Sequence, residues 1–532
     1  MRLAFRTHTV LATTLALAAL AGCSGGSSGK GGSASTSASA TSASATSSSS
    51  STPSATATVT SLRAPSAALL QGQIALAFRL AHPLADPADV KVEFSVDGGQ
   101  SWSAASPVSS TSQLTQLATG PAPGLEHPFT WDSAQDVPGF EPDVRVAVEV
   151  SASGSRLETP PFALDNQPLS THVVLNREPY LQLTTPSTSV VSWRTDTASE
   201  GVVEYGETPL LGQSARSGRK AERHDVVLGG LRPDTRYYYR LVESGKPITP
   251  RYSFYSAPDP TSTDFSFVVV GDSGMDNPEQ FAIANLMAKE QDARFFLHTG
   301  DVVYPAGALG AAVAEYNRRY FKPYAELLKR VPGFPVVGNH DLYGLYGAPF
   351  KQAFVLPSNG GGALFSELFY RFDWGDATFL ALETNTIFRL GSGPHMSWLE
   401  DELKTAKKWV IVYMHAPLYS AGKHGDSSTL QSNLESLFEH EGVDLVLAGH
   451  DHDYERSVPI KQFNQDPSYA GLVHVVTGGG GAALRPVNPT PRTHLALSAH
   501  HYLKVTIAGD DLHGEAIDVN GQSIDRFTIR DQ

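Results

Sequence analysis

Gly300-Asp301-Val302-Val303-Tyr304, GDVVY, closes the apolar run RFFLHT at residues 294–299. The run reads as a buried strand, so the pentapeptide places a carboxylate at the strand's end and a tyrosine three residues later. By itself such an end is a surface turn with an aromatic packed nearby. Its neighbours change that. FSFVVVGD is another apolar run ending in Asp272, and FPVVGNHD ends in Asn339, His340 and Asp341. KKWVIVYMHAP reaches His415, and VDLVLAGHDH ends in His450, Asp451 and His452. Between these runs, PEQFAIANLMAKEQ has helical periodicity with a proline near its start, and AAVAEYNRRYFKPYAELLKR is helical with a break at Pro323. A further helix falls at about residues 428–440. Strands alternating with helices predict a layered α/β domain over 263–532, in which ligands gather beyond the carboxyl ends of the strands.

Five strand ends offering Asp, Asn and His point to metal rather than to turns. Hard oxygen donors mixed with imidazoles suit iron, manganese or zinc. The ligands are too many for one four-coordinate ion, and a two-metal site bridged by one carboxylate would use them all. With these blocks in this order, the chain resembles the purple acid phosphatase branch of the calcineurin-like metallophosphoesterases. The resemblance implies a four-layer α/β/β/α sandwich. It also implies that Asp272, Tyr304 and His452 hold one metal, that Asn339, His415 and His450 hold the other, and that Asp301 bridges them. Most relatives in the wider superfamily carry a histidine two residues after the first aspartate; here that position is Gly274. The resemblance implies that Tyr304 replaces it as a tyrosinate. A phenol of ordinary pKa near 10 needs a strong Lewis acid to ionise at neutral pH, which favours Fe(III) at that position. The second metal is Fe(II), Zn(II) or Mn(II), and its ligand set does not decide among them.

His340, beside Asn339, is the first candidate to protonate the leaving group, with Asp341 orienting it or capping the next segment. His424, in the loop HAPLYSAGKHGD, is the second. The run Thr477–Gly481 follows a strand but lacks the Lys-Ser/Thr of a phosphate loop, and predicts close backbone approach near the site. His494, His500 and His501 read as ordinary polar residues. The leading function is an extracytoplasmic phosphomonoesterase acting on small phosphorylated substrates. Phosphodiester or nucleotide hydrolysis on the same metals is the nearest alternative, decided by the loops 342–368 and 384–398. An inert cell-surface binding protein is a third.

The rest of the chain frames this domain. In 532 residues, Lys+Arg 40 against Asp+Glu 54 gives a net charge of -14, which argues against gripping nucleic acid through phosphates. Cys23 is the only cysteine, so no intrachain disulfide forms. Residues 1–22 read as a signal peptide, with Arg2 and Arg6 before the short apolar stretch Val10–Leu20. Leu20-Ala21-Gly22-Cys23 resembles the bacterial lipobox, which implies lipidation of Cys23 and anchoring to a membrane. Residues 23–60, with Cys23 at their head, are almost only Ser, Ala, Thr and Gly and predict a disordered tether spanning on the order of 35 Å. Residues 61–168 show alternating runs such as QIALAFRLA, VKVEFSVD and VRVAVEVS, with an Asp97-Gly98-Gly99 turn, and predict an immunoglobulin-like β-sandwich. In 173–258, SVVSWRT, GVVEYG, HDVVLGGL and TRYYYRLV read as separate strands. The run GLRPDTRYYYR there resembles fibronectin type III domains, which implies Leu and Tyr packed across two sheets.

Overall fold

The computed structural model describes residues 56–67, 69–109, 114–304, 312–342, 347–462, 464–465 and 471–530. The signal segment, Cys23 and most of the tether lie outside the described residues. Among the described residues, no helix is long and apolar enough to cross a membrane.

The first module begins earlier than its composition suggests. Strand Thr58–Arg63 starts inside the Ser/Ala/Thr run, where Val59 is buried and paired opposite Leu80. It joins Gln73–Ala81 and Leu125–Asp132 in a three-stranded sheet. A second sheet, centred on Phe140–Val150 and Val90–Ser95, closes over a core containing Phe78, Phe94, Trp131, Val146 and Val148.

In the second module, SVVSWRT and GVVEYG form one strand, Thr188–Gly206, rather than two. Its register against Gln213–Gly229 shifts between Arg194 and Ser199 and again between Glu200 and Val202. Such bulges bend and twist a strand, and here they let one continuous segment run on to pair with Arg236–Glu243. Leu231 and Tyr237 share a core with Trp193 and Tyr239, and the Tyr237 hydroxyl accepts from the Arg232 amide at 2.9 Å.

The third module stacks two sheets. Strands β1 (Asp264–Val270), β2 (Ala293–His298) and β3 (Gly333–Pro335) pair in parallel. Of FPVVGNHD only the first part joins this edge strand; Asn339–Leu342 turns into a short helix. The second sheet takes β4 (Tyr370–Trp374), β5 (Ala377–Leu382), β6 (Trp409–Met414), β7 (Leu445–Ala448), β8 (Tyr454–Ser457), β9 (Val473–Thr477) and β10 (Thr493–Leu497). Their spatial order is β4-β5-β6-β7-β9-β8-β10, with β5, β6, β7 and β9 parallel. The chain returns to the first sheet as β11 (His501–Ala508), β12 (Asp511–Asp518) and β13 (Ser523–Arg530), giving the order β3-β2-β1-β11-β12-β13.

Alternation along the strands fixes the layers. Phe267, Phe295, Phe379 and Ile411 face inward between the sheets, with Phe267 and Phe295 stacked at 4.8 Å. Leu380, Leu382, Val410, Val412 and Val446 face the other way, onto Met396, Leu399, Leu403, Leu434 and Phe438 of the covering helices. Phe296 turns outward on the first sheet against Tyr320 and Tyr324. The result is a four-layer α/β/β/α domain preceded by all-β structure. Helix α1 (Pro278–Met287) starts where Asn277 caps the Gln280 amide at 3.1 Å, with Pro278 at its first turn.

Candidate metal centre

The carboxyl ends of β1, β2 and β3 in one sheet and β6 and β7 in the other meet at one point. Asp272, Asp301 and His415 bring their donor atoms within 4.8 Å of one another, all buried. The Tyr304 hydroxyl sits 2.8 Å from Asp272 Oδ1 and 2.8 Å from Asp301 Oδ2, and 3.3 Å from His452 Nε2. On the other side of Asp301, His415 Nε2 lies 3.4 Å from Asp301 Oδ2, 3.0 Å from Asn339 Oδ1 and 3.2 Å from His450 Nδ1. The seven sequence-predicted donors therefore form two groups sharing Asp301.

The backbone is bent to make this possible. Asp272, Asp301 and His450 have φ of 55°, 52° and 72°, left-handed values that non-glycine residues rarely hold. Hydrogen bonds from outside fix two imidazole tautomers. His415 Nδ1 donates to the Thr299 carbonyl at 2.8 Å and His452 Nδ1 to the Ala483 carbonyl at 2.9 Å, so in the neutral form of each ring Nε2 is the nitrogen left to hold a metal. At Gly274 a Cβ would stand 2.1 Å from the Val302 carbonyl oxygen. No side chain fits there, because the backbone at Val302 and Val303, just before Tyr304, already fills the space. The Thr477–Gly481 run also allows close approach: a Cβ at Gly478 would meet the Asp451 carbonyl oxygen at 2.1 Å and Asp272 Oδ2 at 2.8 Å.

The electrostatics define what the cluster lacks. Burial raises the Asp272 carboxyl to about 8, with Asp301 adding to the shift and His415 opposing it. Burial pushes the Tyr304 phenol well above its ordinary value, and both carboxylates push it further. Burial would lower His415, but Asp301 and Asp272 outweigh it and raise the imidazole to about 10. Buried oxygens thus face buried oxygens at hydrogen-bond distance. Cations placed among them would reverse each of these shifts, so the donor set fits a two-metal centre.

The proton-donor candidates sit at the rim. The His340 ring is 4.5 Å from the Tyr304 ring, with Nε2 3.9 Å from Asp301 Oδ2. Asp341 does not reach toward it. Its carboxyl accepts from the Val302 and Gly338 amides at 3.1 and 2.9 Å and from the Tyr316 hydroxyl at 3.0 Å, tying the ends of β2 and β3 together. His424 is exposed and stacked on His450 at 4.0 Å. Its Nε2 accepts from Arg485 Nη1 at 2.6 Å. Arg485 escaped the sequence analysis, because it stands alone in a loop with no motif around it. His500 and His501 bond the Gly479 and Ala499 carbonyls through Nδ1, and His501 is fully buried.

Two family models match: calcineurin-like phosphoesterase over residues 265–454, and purple acid phosphatase N-terminal domain over residues 177–256. Acid phosphatase type 7 of Mus musculus is 28% identical over 393 residues, covering 64% of this chain and 87% of the relative. Purple acid phosphatase 23 of Arabidopsis thaliana is 28% identical over 293 residues, 48% of this chain and 62% of the relative. Among solved structures, purple acid phosphatase PPD1 from yellow lupin (Lupinus luteus) seeds shares the fold, with TM-score 0.58 and 18% identity over 90% of this chain and 96% of that one. The chain thus carries a calcineurin-like phosphoesterase domain behind a purple acid phosphatase N-terminal domain, and it resembles the purple acid phosphatases, which are phosphoester hydrolases.

Proposed function

We propose that this protein is an extracytoplasmic acid phosphatase that hydrolyses phosphomonoesters at an Fe(III)–M(II) centre, M being Fe, Zn or Mn. The observation that carries the reading is the buried Tyr304 hydroxyl held between two carboxylates. Asp272, Tyr304 and His452 would hold Fe(III); Asn339, His415 and His450 would hold the divalent ion; Asp301 would serve both. When bound, two such cations supply a hydroxide nucleophile below neutral pH and offset the charge of the phosphate. His340 stands where it can deliver a proton to the departing alkoxide. His424, whose Nε2 already accepts from Arg485, is better placed to hold that guanidinium than to give up a proton. The two β-rich modules, immunoglobulin-like and fibronectin III-like, are read as scaffold and spacer. Leu20–Cys23 supports a lipid anchor that holds the enzyme outside the cytoplasm.

The test is an absorption spectrum of the purified protein with metal quantification and turnover of p-nitrophenyl phosphate. A visible tyrosinate band that disappears in Tyr304→Phe is expected. A colourless protein holding two zinc ions with full turnover would overturn the iron assignment, and a protein that hydrolyses no phosphate ester would overturn the activity. Incorporation of labelled fatty acid, lost in Cys23→Ser, tests the anchor.

A further inference from the structure

Arg485 has no role in the chemistry above, yet its guanidinium lies against His424 and His450 of this site. Its amide donates to the His452 carbonyl at 3.2 Å, and its Nη1 donates to the His450 carbonyl at 3.2 Å. The same Nη1 donates to His424 Nε2 at 2.6 Å and lies 3.8 Å from Asp451 Oδ1. The side chain is thereby pinned to the loop that carries both His450 and His452, with 24% of its surface open. The side-chain contacts all use Nη1, and among the described residues Nη2 makes no hydrogen bond.

We infer that Arg485 is a specificity-determining residue that binds a non-bridging oxygen of the substrate phosphate and favours phosphomonoester dianions over diesters. The inference rests on the phosphatase reading and deepens it. A guanidinium is charged at every working pH and offers a fork of donors matched to phosphate oxygens. A monoester dianion presents one more anionic oxygen than a diester, so a fixed charge at the rim rewards the monoester selectively. His424 serves as the positioning residue: it stacks on His450 and accepts from Nη1, so the free edge of the guanidinium is held in one direction.

The experiment compares the metal-loaded wild type with Arg485→Gln and Arg485→Lys. KM and kcat are measured for p-nitrophenyl phosphate and for its bis ester, and inorganic phosphate binding is followed by calorimetry. Arg485→Gln should raise KM for the monoester and Kd for inorganic phosphate by roughly tenfold, the scale of one charge-assisted hydrogen bond. KM for the diester should change by less than about twofold, and metal content should be unaltered. Arg485→Lys, which keeps the charge and loses the fork, should fall between. Equal changes for both esters, or no change in phosphate binding, would overturn the inference. If the wild type cleaves no ester, the phosphatase reading fails, while the calorimetric comparison still decides whether Arg485 binds phosphate.

Discussion

Two buried polar clusters in this molecule are built on opposite rules. Where the second module meets the third, donors face acceptors. Arg177 Nε donates to Asn317 Oδ1 at 2.6 Å, and Arg177 Nη1 and the Tyr180 hydroxyl each reach the Ala353 carbonyl at 3.0 Å. Gln182 donates to the Gly333 carbonyl at 2.8 Å and accepts from the Val355 amide at 2.7 Å. The Arg177 guanidinium also lies 3.7 Å from the centroid of the Phe321 ring. At that junction Arg177 Nε, Arg177 Nη1, Tyr180 and Gln182 each find a protein partner of opposite role. At the metal centre, Asp272, Asp301 and Tyr304 aim oxygens at one another, and the shifts they impose are those of a site completed by something positive. Burial is common to both; complementarity separates a structural cluster from a functional one.

Substitutions can break that contrast, and the largest effect belongs to the centre. Asp301→Ala removes the group shared by both donor sets. Turnover should fall roughly 10³-fold or more, on the scale of losing a main electrostatic stabiliser, and metal quantification should show both ions depleted. Retention of two metals would mean that Asp301 does not bridge.

His340→Ala should lower kcat by about 10²-fold, the range for a lost proton donor, with metal content and visible band intact. A parallel loss of metal would place His340 among the ligands instead.

At the junction the sign reverses, with stability rather than activity affected. Gln182→Leu leaves the Gly333 carbonyl and the Val355 amide unpaired at a buried position. Denaturant titration should show a loss of about 1–3 kcal/mol while kcat holds. An equally stable variant would mean that water completes those groups.

A third buried cluster gives the smallest and most diagnostic effect. Glu435 lies within the turn Gln431–Glu435, its Oε2 3.6 Å from His474 Nε2 and its side chain near Tyr419. Burial, with Glu439 adding to it, raises this carboxyl from 4.5 to about 8. A raised folded-state pKa contributes stability that is whole below pH 4.5 and is lost as pH climbs through 8. Glu435→Gln should therefore raise Tm by about 2–4 °C at pH 8.5 relative to wild type and change it little at pH 4.5. A pH-independent difference would show that Glu435 stays ionised in the fold. Acids buried away from a cation destabilise as they ionise; those at the centre should instead be stabilised by metal loading.

The donors were legible because their chemistry is written at strand ends, where apolar runs stop on Asp, Asn or His. Asp272, Asp301, Tyr304, Asn339, His415, His450 and His452 all come from such ends and meet in space. The second module was legible in its pairing residues but not in its continuity: the bulges after Arg194 and Glu200 are matters of register, which no alternation pattern records. Asp341 reads in sequence as orienting His340 or capping the next segment; its carboxyl instead takes the Val302 and Gly338 amides and the Tyr316 hydroxyl, partners that only the packing brings to it.

By itself, then, the sequence determined the α/β order and the donor types, since composition and spacing along one strand are local properties, and the resemblance to the family added the exchange of a histidine for Tyr304. Only the tertiary structure decided that Arg485 lies against His424 and His450, that Gly274 has no room for a side chain, and that Arg177 meets Asn317, the Ala353 carbonyl and the Phe321 ring of another module. Each of these depends on distances between segments far apart in the chain, set by how two sheets and their loops pack.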